Sequence, residues 1–327
     1  MFVFGKDRFE AAHLIRSLQH FLNYIQTIPS ARDLKKFIRS NYLVYRSIGR
    51  DRNGEVLFTG YYEPYLRGSL HPNKEYMFPI YSLPKDLIKI DLSPFAQKYE
   101  GEEIIGRFTG ETVVPYYDRR EIDYENVLEG KSEPLVWLKD PVDVFFLQIQ
   151  GSGKVFLDNG QVLNVHSHAS NGRPYRSIGK LLIEKKKIPQ EEISMQKIRA
   201  YLREYPEDIA PILNHNPSYV FFKIEREGPL GSLEVELTPG RSIALDQRIF
   251  PAAALTFIKT KKPVVDSIGH IDSWIECTRF VLNQDTGGAI QGPGRADLFW
   301  GNGPYAEIAA GHLAHAGRLY FLVLKPQ

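Results

Sequence analysis

The chain carries a single cysteine, Cys277, in 327 residues. No disulfide can close within it, and a metal cluster held by several cysteines is excluded. No run of about 18 apolar residues occurs, so no segment reads as a membrane-spanning helix. Charge of one sign is also missing: 41 Lys plus Arg against 39 Asp plus Glu leave a net +2. That balance argues against nucleic acid or an anionic membrane as the main partner. No GxSxG nucleophile elbow is present, and Gly151-Ser152-Gly153 lacks the GK[ST] of a phosphate loop. His166 and His168 would share one face of a strand, but no third ligand stands at metal spacing nearby. The first residues hold Asp7 and Glu10 and only a short apolar run, so they do not read as a signal peptide. If the protein works outside the cytoplasm, an export signal or lipid-carrying cysteine is expected outside this sequence.

What is present is an ordinary globular composition, 43% hydrophobic and 24% charged, with length for about two domains. Apolar spacing predicts helices over about 7–25 and 30–38, with Ser30 as an N-cap. A strand is expected at 56–62. The middle of the chain reads as a distinct unit of short strands: 113–117, 135–138, 143–150 and 155–157. Asp158-Asn159-Gly160 signals a hairpin into 161–165. Helices are expected at 178–184, 194–204 and 206–214, and a strand at 216–223. Beyond Gly228 the pattern is short strands and turns, with a helix at 306–315 and a last strand at 319–324. Cys277 falls in an apolar segment and reads as an inert core thiol.

The densest chemical signal is Gln284 to Gly303, QDTGGAIQGPGRADLFWGNG. It holds Asp285 and Asp297 among six glycines, 287, 288, 292, 294, 301 and 303, with Phe299, Trp300 and Tyr305 close behind. Glycines let a backbone take positive φ and approach a ligand. Carboxylates on such a backbone beside aromatic faces suit sugar cleavage, in which a carboxylic acid protonates a glycosidic oxygen. A calcium loop or a plain set of turns would use the same residue types. Asp246, in RSIALDQRIFP, is a third carboxylate at the end of an apolar stretch. Neighbouring carboxylates raise one another's pKa, which keeps one protonated as a general acid. Asp246 reads rather as a structural acceptor, and Asp285 reads equally as either.

These segments resemble the membrane-bound lytic murein transglycosylase A family. The likeness runs through FTGYYEP at 58–64, DPVDVFFLQIQGSGKV at 140–155 and NGRPYRSIGKLL at 171–182. It continues through SMQKIRAYL at 194–202, NPSYVFFK at 216–223, LTPGRSIALDQRIFP at 237–251 and the Asp285–Asp297 run. The C-terminal part resembles the three-aspartate domain, its aspartates matching Asp246, Asp285 and Asp297. Two departures stand out. Ala252-Ala253 replaces a small-residue–glycine pair, and Gln291 stands where the family often has lysine.

The resemblance implies a mainly β protein with flanking helices. A double-psi β-barrel catalytic domain, with the N-terminal helices, would come from 1–63 and 229–327. A smaller β-rich substrate-binding domain would be inserted at 64–228, with a cleft between the two. It implies a peptidoglycan lytic exotransglycosylase, a carbon–oxygen lyase. Such an enzyme cuts the β-1,4 bond between N-acetylmuramic acid and N-acetylglucosamine and leaves a 1,6-anhydro end. Asp297 is the expected acid/base and Asp285 its support. Thr59, Gly60, Tyr61, Gln150, Ser152, Ser177, Gly287 and Gly288 are expected at the glycan, and either Tyr62 or Trp300 in the core. No metal or other cofactor is expected. The expected partner is the peptidoglycan strand, with cell-wall synthesis or divisome proteins as further candidates, for a monomer in the periplasm anchored to the outer membrane. A two-carboxylate β-1,4-glycan hydrolase and a non-catalytic wall-binding module are the competing readings.

Overall fold

A computed structural model describes residues 1–326. The chain forms two units: Met1–Tyr61 joined by the chain from Gly231 onward, and Tyr62–Leu230 between them.

In the first unit six strands close on themselves. Leu255–Val265 pairs with Ile271–Asp285, which pairs with Ser242–Ala244, then Arg295–Asn302, Val56–Glu63 and Ala314–Leu324. Ala314–Leu324 returns to Leu255–Val265 through Thr256↔Phe321 to Lys259↔Arg318, which leaves the barrel without an open edge. Tyr42–Arg46 adds a seventh strand outside the ring. Ser242–Ala244 runs parallel to Ile271–Asp285 and antiparallel to Arg295–Asn302. The whole is the mainly β barrel with flanking helices that the sequence implies. One flanking helix, Ala11–Ile25, packs Phe21 against Tyr42, Leu255 and Leu322. It starts later than its apolar spacing suggests, because Asp7–Phe9 pairs back onto Phe2–Phe4 across a turn where Gly5 has φ 62°. The helix Ala31–Asn41 begins at Ser30, whose hydroxyl accepts from the Asp33 amide.

The second unit is built on a six-stranded sheet. Its order is Val220–Glu225, Val162–Ser170, Ser152–Leu157, Tyr65–Ser69, Pro134–Leu138 and Phe78–Tyr81. The Asp158–Gly160 turn forms as expected, with Phe156 opposite Val162. Residues 143–150, expected as a strand, are instead helical within Pro141–Gln150. The start and stop signals explain this: Asp140 accepts from the Val142 amide, proline takes the first turn, and Gly151 closes the helix at φ 82°. The helix is apolar nearly all round because it is buried, so its pattern mimics a core strand. Val144 and Leu147 sit in the sheet's core with Leu66, Val136, Val155 and Phe222. Truncating Leu147 to alanine would cost about 2–5 kcal/mol by that burial. A three-stranded sheet, Ile88–Asp91, Glu103–Phe108 and Val113–Pro115, is separate within this unit.

Candidate active site

Asp285 and Asp297 are brought together by barrel register rather than by their nearness in sequence. The short strand Ser242–Ala244 lies between the strands that carry them. Ala244 pairs with Asp285 on one side and with Asp297 on the other. Two strand spacings put the aspartate Cα atoms about 10 Å apart. Ala244 is buried at 3% exposure and packs with Tyr61, Ile290 and Phe299, and sequence reading passed it over.

The strand Val56–Glu63 secures both carboxylates. Thr59 Oγ1 donates to Asp297 Oδ1 at 2.7 Å, and the Tyr61 hydroxyl donates to Asp285 Oδ2 at 2.8 Å. Residues two apart on a strand face the same side, so one strand presents both hydroxyls. Gly60 faces the other way. A Cβ there would lie 2.6 Å from Trp300 Nε1 and 2.8 Å from Ala310 Cα, so no larger residue fits. Thr59, Gly60 and Tyr61, all expected at the sugar, are therefore respectively an aspartate donor, a packing gap and an aspartate donor. Trp300 and Tyr62 are both buried, at 8% and 4% exposure, where only one of the two was expected in the core.

Asp297 keeps some exposed surface, but its carboxyl is enclosed by protein. Burial pushes its pKa up to about 6. The Thr59 hydrogen bond and nearby Arg295 oppose the rise, and the charge of Asp285 adds to it. Asp285 is also raised by burial, against donations from Tyr61 and from the amides of Thr286 at 2.9 Å and Ser232 at 3.0 Å. Tyr61 is held far above its ordinary value, chiefly by burial and then by Asp285, so its phenol stays a donor.

Asp246 is held differently. Arg248 donates through Nε at 2.9 Å and Nη2 at 2.8 Å, and the Gly292 amide donates at 2.8 Å. The Arg248 contact, ahead of the amide bonds, holds the carboxyl below its ordinary value. The Gly292 amide bond ties the Gln284–Gly303 segment to the Asp246 turn, and the Arg248 salt bridge holds the carboxylate within that turn. Only Gly292, Gly301 and Gly303 of the six glycines have positive φ; Gly294 instead lies against the Arg50 backbone, where a Cβ would come within 2.6 Å. A Cβ on Gly288 would meet nothing within 4 Å and one on Gly287 only Ile290, while the Gln291 side chain bonds the Gly288 carbonyl at 2.9 Å.

The other expected contacts belong to the second unit. Gln150 Oε1 accepts from the Tyr62 amide at 2.9 Å, and Ser152 is 5% exposed at the start of its strand. The Ser177 hydroxyl caps the helix Ile178–Glu184 by accepting from the Lys180 amide at 3.3 Å. Cys277 is free and buried. Among the described residues no group of three or more His, Cys, Asp or Glu is placed to hold a metal ion.

Both parts of the chain match known family models. Residues 57–223 match the MltA specific insert domain, and residues 241–323 match the 3D domain. The membrane-bound lytic murein transglycosylase A of Escherichia coli K12 is 33% identical over 281 residues, 85% of this chain and 68% of that protein. The chain belongs to the membrane-bound lytic murein transglycosylase A family. The solved Agrobacterium tumefaciens membrane-bound lytic murein transglycosylase superposes with TM-score 0.80 at 30% identity, covering 99% of this chain and 87% of that one. Escherichia coli MltA with bound chitohexaose superposes at 0.76 with 27% identity, covering 97% and 86%. One departure from the family pattern has a visible consequence: Ala253 takes φ 57°, the left-handed conformation glycine adopts without strain.

Proposed function

We propose that this protein is a peptidoglycan lytic transglycosylase. It cleaves the β-1,4 bond between N-acetylmuramic acid and N-acetylglucosamine and closes a 1,6-anhydro ring on the muramic residue. The observation that carries the assignment is the enclosed Asp297, raised to about 6, with a neutral hydroxyl as its hydrogen-bond partner. At pH 7 about one such group in ten is protonated, which matches a residue that must act as acid and then as base.

Asp297 gives its proton to the glycosidic oxygen as that bond breaks. The resulting carboxylate then takes the proton of the muramic C6 hydroxyl, whose oxygen attacks C1. Proton and bonds balance with no water consumed. The nucleophile is already attached to the sugar, so little entropy is lost in bringing it up. Asp285 does not act as a nucleophile. Fixed by Tyr61 and two backbone amides, it positions the site and raises the Asp297 pKa. Asp246 is structural. The barrel unit is the catalytic domain. Gln150 and Ser152 are proposed glycan contacts of the inserted unit, and the Gly287–Gly288 backbone is a proposed glycan contact of the barrel unit. We place the enzyme in the periplasm, at the outer membrane. No helix among the described residues is long and apolar enough to cross a membrane.

The test is the mass of the products released from purified peptidoglycan. Anhydro-muropeptides are expected. Muropeptides one water heavier, with reducing ends, would make the pair Asp285 and Asp297 a hydrolase and overturn the mechanism.

A further inference from the structure

The inserted unit carries an aromatic platform on the open face of its main sheet. Strands Tyr65–Ser69 and Ser152–Leu157 run parallel, with Lys154 opposite Tyr65 and Phe156 opposite Arg67. The alternation is clean. Leu66, Val155 and Leu157 point into the core at 6%, 0% and 5% exposure. Tyr65 and Phe156 point outward, 51% and 42% exposed, with ring centroids 5.6 Å apart in an edge-to-face pair. Together with Arg67, Tyr76 and Asp158 they line one shallow depression. The Arg67 guanidinium has no hydrogen-bond or ion-pair partner among the described residues. Two large rings set side by side on an open face make an apolar surface that a ligand can cover.

We propose that this depression is a second binding site for the substrate polymer. A sugar ring of the glycan strand would lie on Tyr65 and Phe156, and Arg67 would pair with a carboxylate of the attached peptide. The inference rests on the reading of the chain as a peptidoglycan enzyme. Two observations select this occupant. The first is continuity: Ser152, Lys154 and Phe156 share one face of one strand, so the platform lies about 13 Å along the sheet from Ser152, roughly one disaccharide further on. The second is charge. Lys154 already pairs with buried Glu63 at 3.7 Å, which leaves Arg67 as the cation open to a ligand carboxylate, and its planar fork suits one. Aromatic faces give sugars an apolar surface without demanding one sequence of substituents.

The site predicts chain-length and peptide dependence separately from chemistry. The protein would be tested with three probes: sonicated peptidoglycan, glycan strands stripped of peptides by an amidase with the lactyl carboxylates so freed blocked as methylamides, and a fragment of two disaccharides. The double variant Tyr65→Ala/Phe156→Ala is expected to bind both long probes about five- to tenfold more weakly. Its kcat on the short fragment should stay unchanged. Arg67→Gln is expected to weaken binding of peptide-bearing strands several-fold and leave stripped strands alone. These side chains are exposed, so a melting temperature equal to wild type checks the fold. Unchanged affinity of the double variant for long strands would overturn the platform. Equal loss on intact and stripped strands for Arg67→Gln would overturn the carboxylate pairing. Wild-type product masses report on the chemistry alone, so failure of that reading is distinguishable from failure of the site.

Discussion

Two aspartates of one barrel, Asp246 and Asp297, show how surroundings divide the same side chain into different jobs. Asp246 is 3% exposed, yet it lies just beneath the surface with Arg248 laid over it, the arginine side chain 69% exposed. Its partners are a full positive charge and amide groups, and its pKa falls. Asp297 is enclosed with one neutral hydroxyl as its hydrogen-bond partner, and its pKa rises to about 6. A carboxylate satisfied by a guanidinium is fixed in its ionised form and holds structure. One satisfied by a hydroxyl can exchange its proton near neutral pH. Asp123 of the inserted unit is a useful control, since burial lifts it to about 6 as well. It faces the fully buried Arg119 at 3.9 Å, whose other bonds go to Gln148 and the carbonyls of Asn216 and Ser218. A raised pKa alone therefore does not mark a catalytic acid, since Asp123 has both the Tyr219 hydroxyl and the Arg119 charge beside it; the paired carboxylate across Ala244 does.

The sharpest way to break this contrast is Asp297→Asn. It should lower turnover of peptidoglycan by roughly 10³-fold, the range of a general acid/base group, while the far-UV spectrum stays native. Turnover within tenfold of wild type would remove Asp297 from the chemistry. Asp246→Asn should do the reverse. It weakens the bonds to Arg248 and the Gly292 amide and should cost about 1–2 kcal/mol of stability, the exposed arginine limiting the loss. Denaturant unfolding measures it; a stability loss under about 0.3 kcal/mol would contradict the structural role.

The pH dependence of stability separates the same two residues by sign. Folding raises the Asp297 pKa, so the native state holds that proton more tightly than the unfolded chain does. The contribution is complete below 3.8 and is lost as pH rises through about 6. A rise from 3.8 to about 6 corresponds to about 3 kcal/mol. Asp246 is lowered, so its contribution is present above 3.8 and is lost as pH falls below that value. Asp297→Asn should therefore flatten part of the stability decline between pH 4 and 6, leaving the share due to Asp123 and Asp285. An unaltered slope would mean that the Asp297 carboxyl is solvated. Thr59→Val is a finer probe. The hydroxyl opposes the rise in the Asp297 pKa, so losing it should move the alkaline limb of kcat upward by about one pH unit. A limb that stays put or moves down would show that Thr59 does not tune the acid.

Much of this was legible in the sequence for identifiable reasons. The run Gln284–Gly303 announced its carboxylates because glycine and aspartate are locally informative. The hairpin at Asp158–Gly160 and the cap at Ser30 were readable because turn and cap chemistry is local. Pro141–Gln150 was misread as a strand because burial on all sides erases the helical period. Its Asp-Pro start and Gly151 stop were the signals that could have corrected it. The duties of Thr59 and Tyr61 were not legible at all. Both look like sugar-binding residues in a motif, and only register across the barrel shows that their hydroxyls already serve Asp297 and Asp285. Ala244 was invisible for the same reason: only register across the barrel places it between Asp285 and Asp297.

The smallest expected effect concerns the turn that leads from Asp246 into the strand Leu255–Val265. Ala253 stands there at φ 57°, with its amide donating to the Asn283 carbonyl at 2.7 Å. An L-residue in this conformation brings its Cβ close to the following carbonyl, at a cost of about 1–2 kcal/mol. Glycine would relieve that strain but would give the unfolded chain more freedom, returning about 0.5–1 kcal/mol. Ala253→Gly should therefore stabilise the protein by about 0.5–1 kcal/mol, read as a higher denaturant midpoint at unchanged m. The mutated residue lies on the barrel but outside the Asp285–Ala244–Asp297 register, so kcat should not change. A destabilised variant would mean that the alanine methyl makes packing contacts worth more than the strain. A change in kcat would mean that the turn's conformation reaches the carboxylates through Asn283, two residues before Asp285 on the same strand.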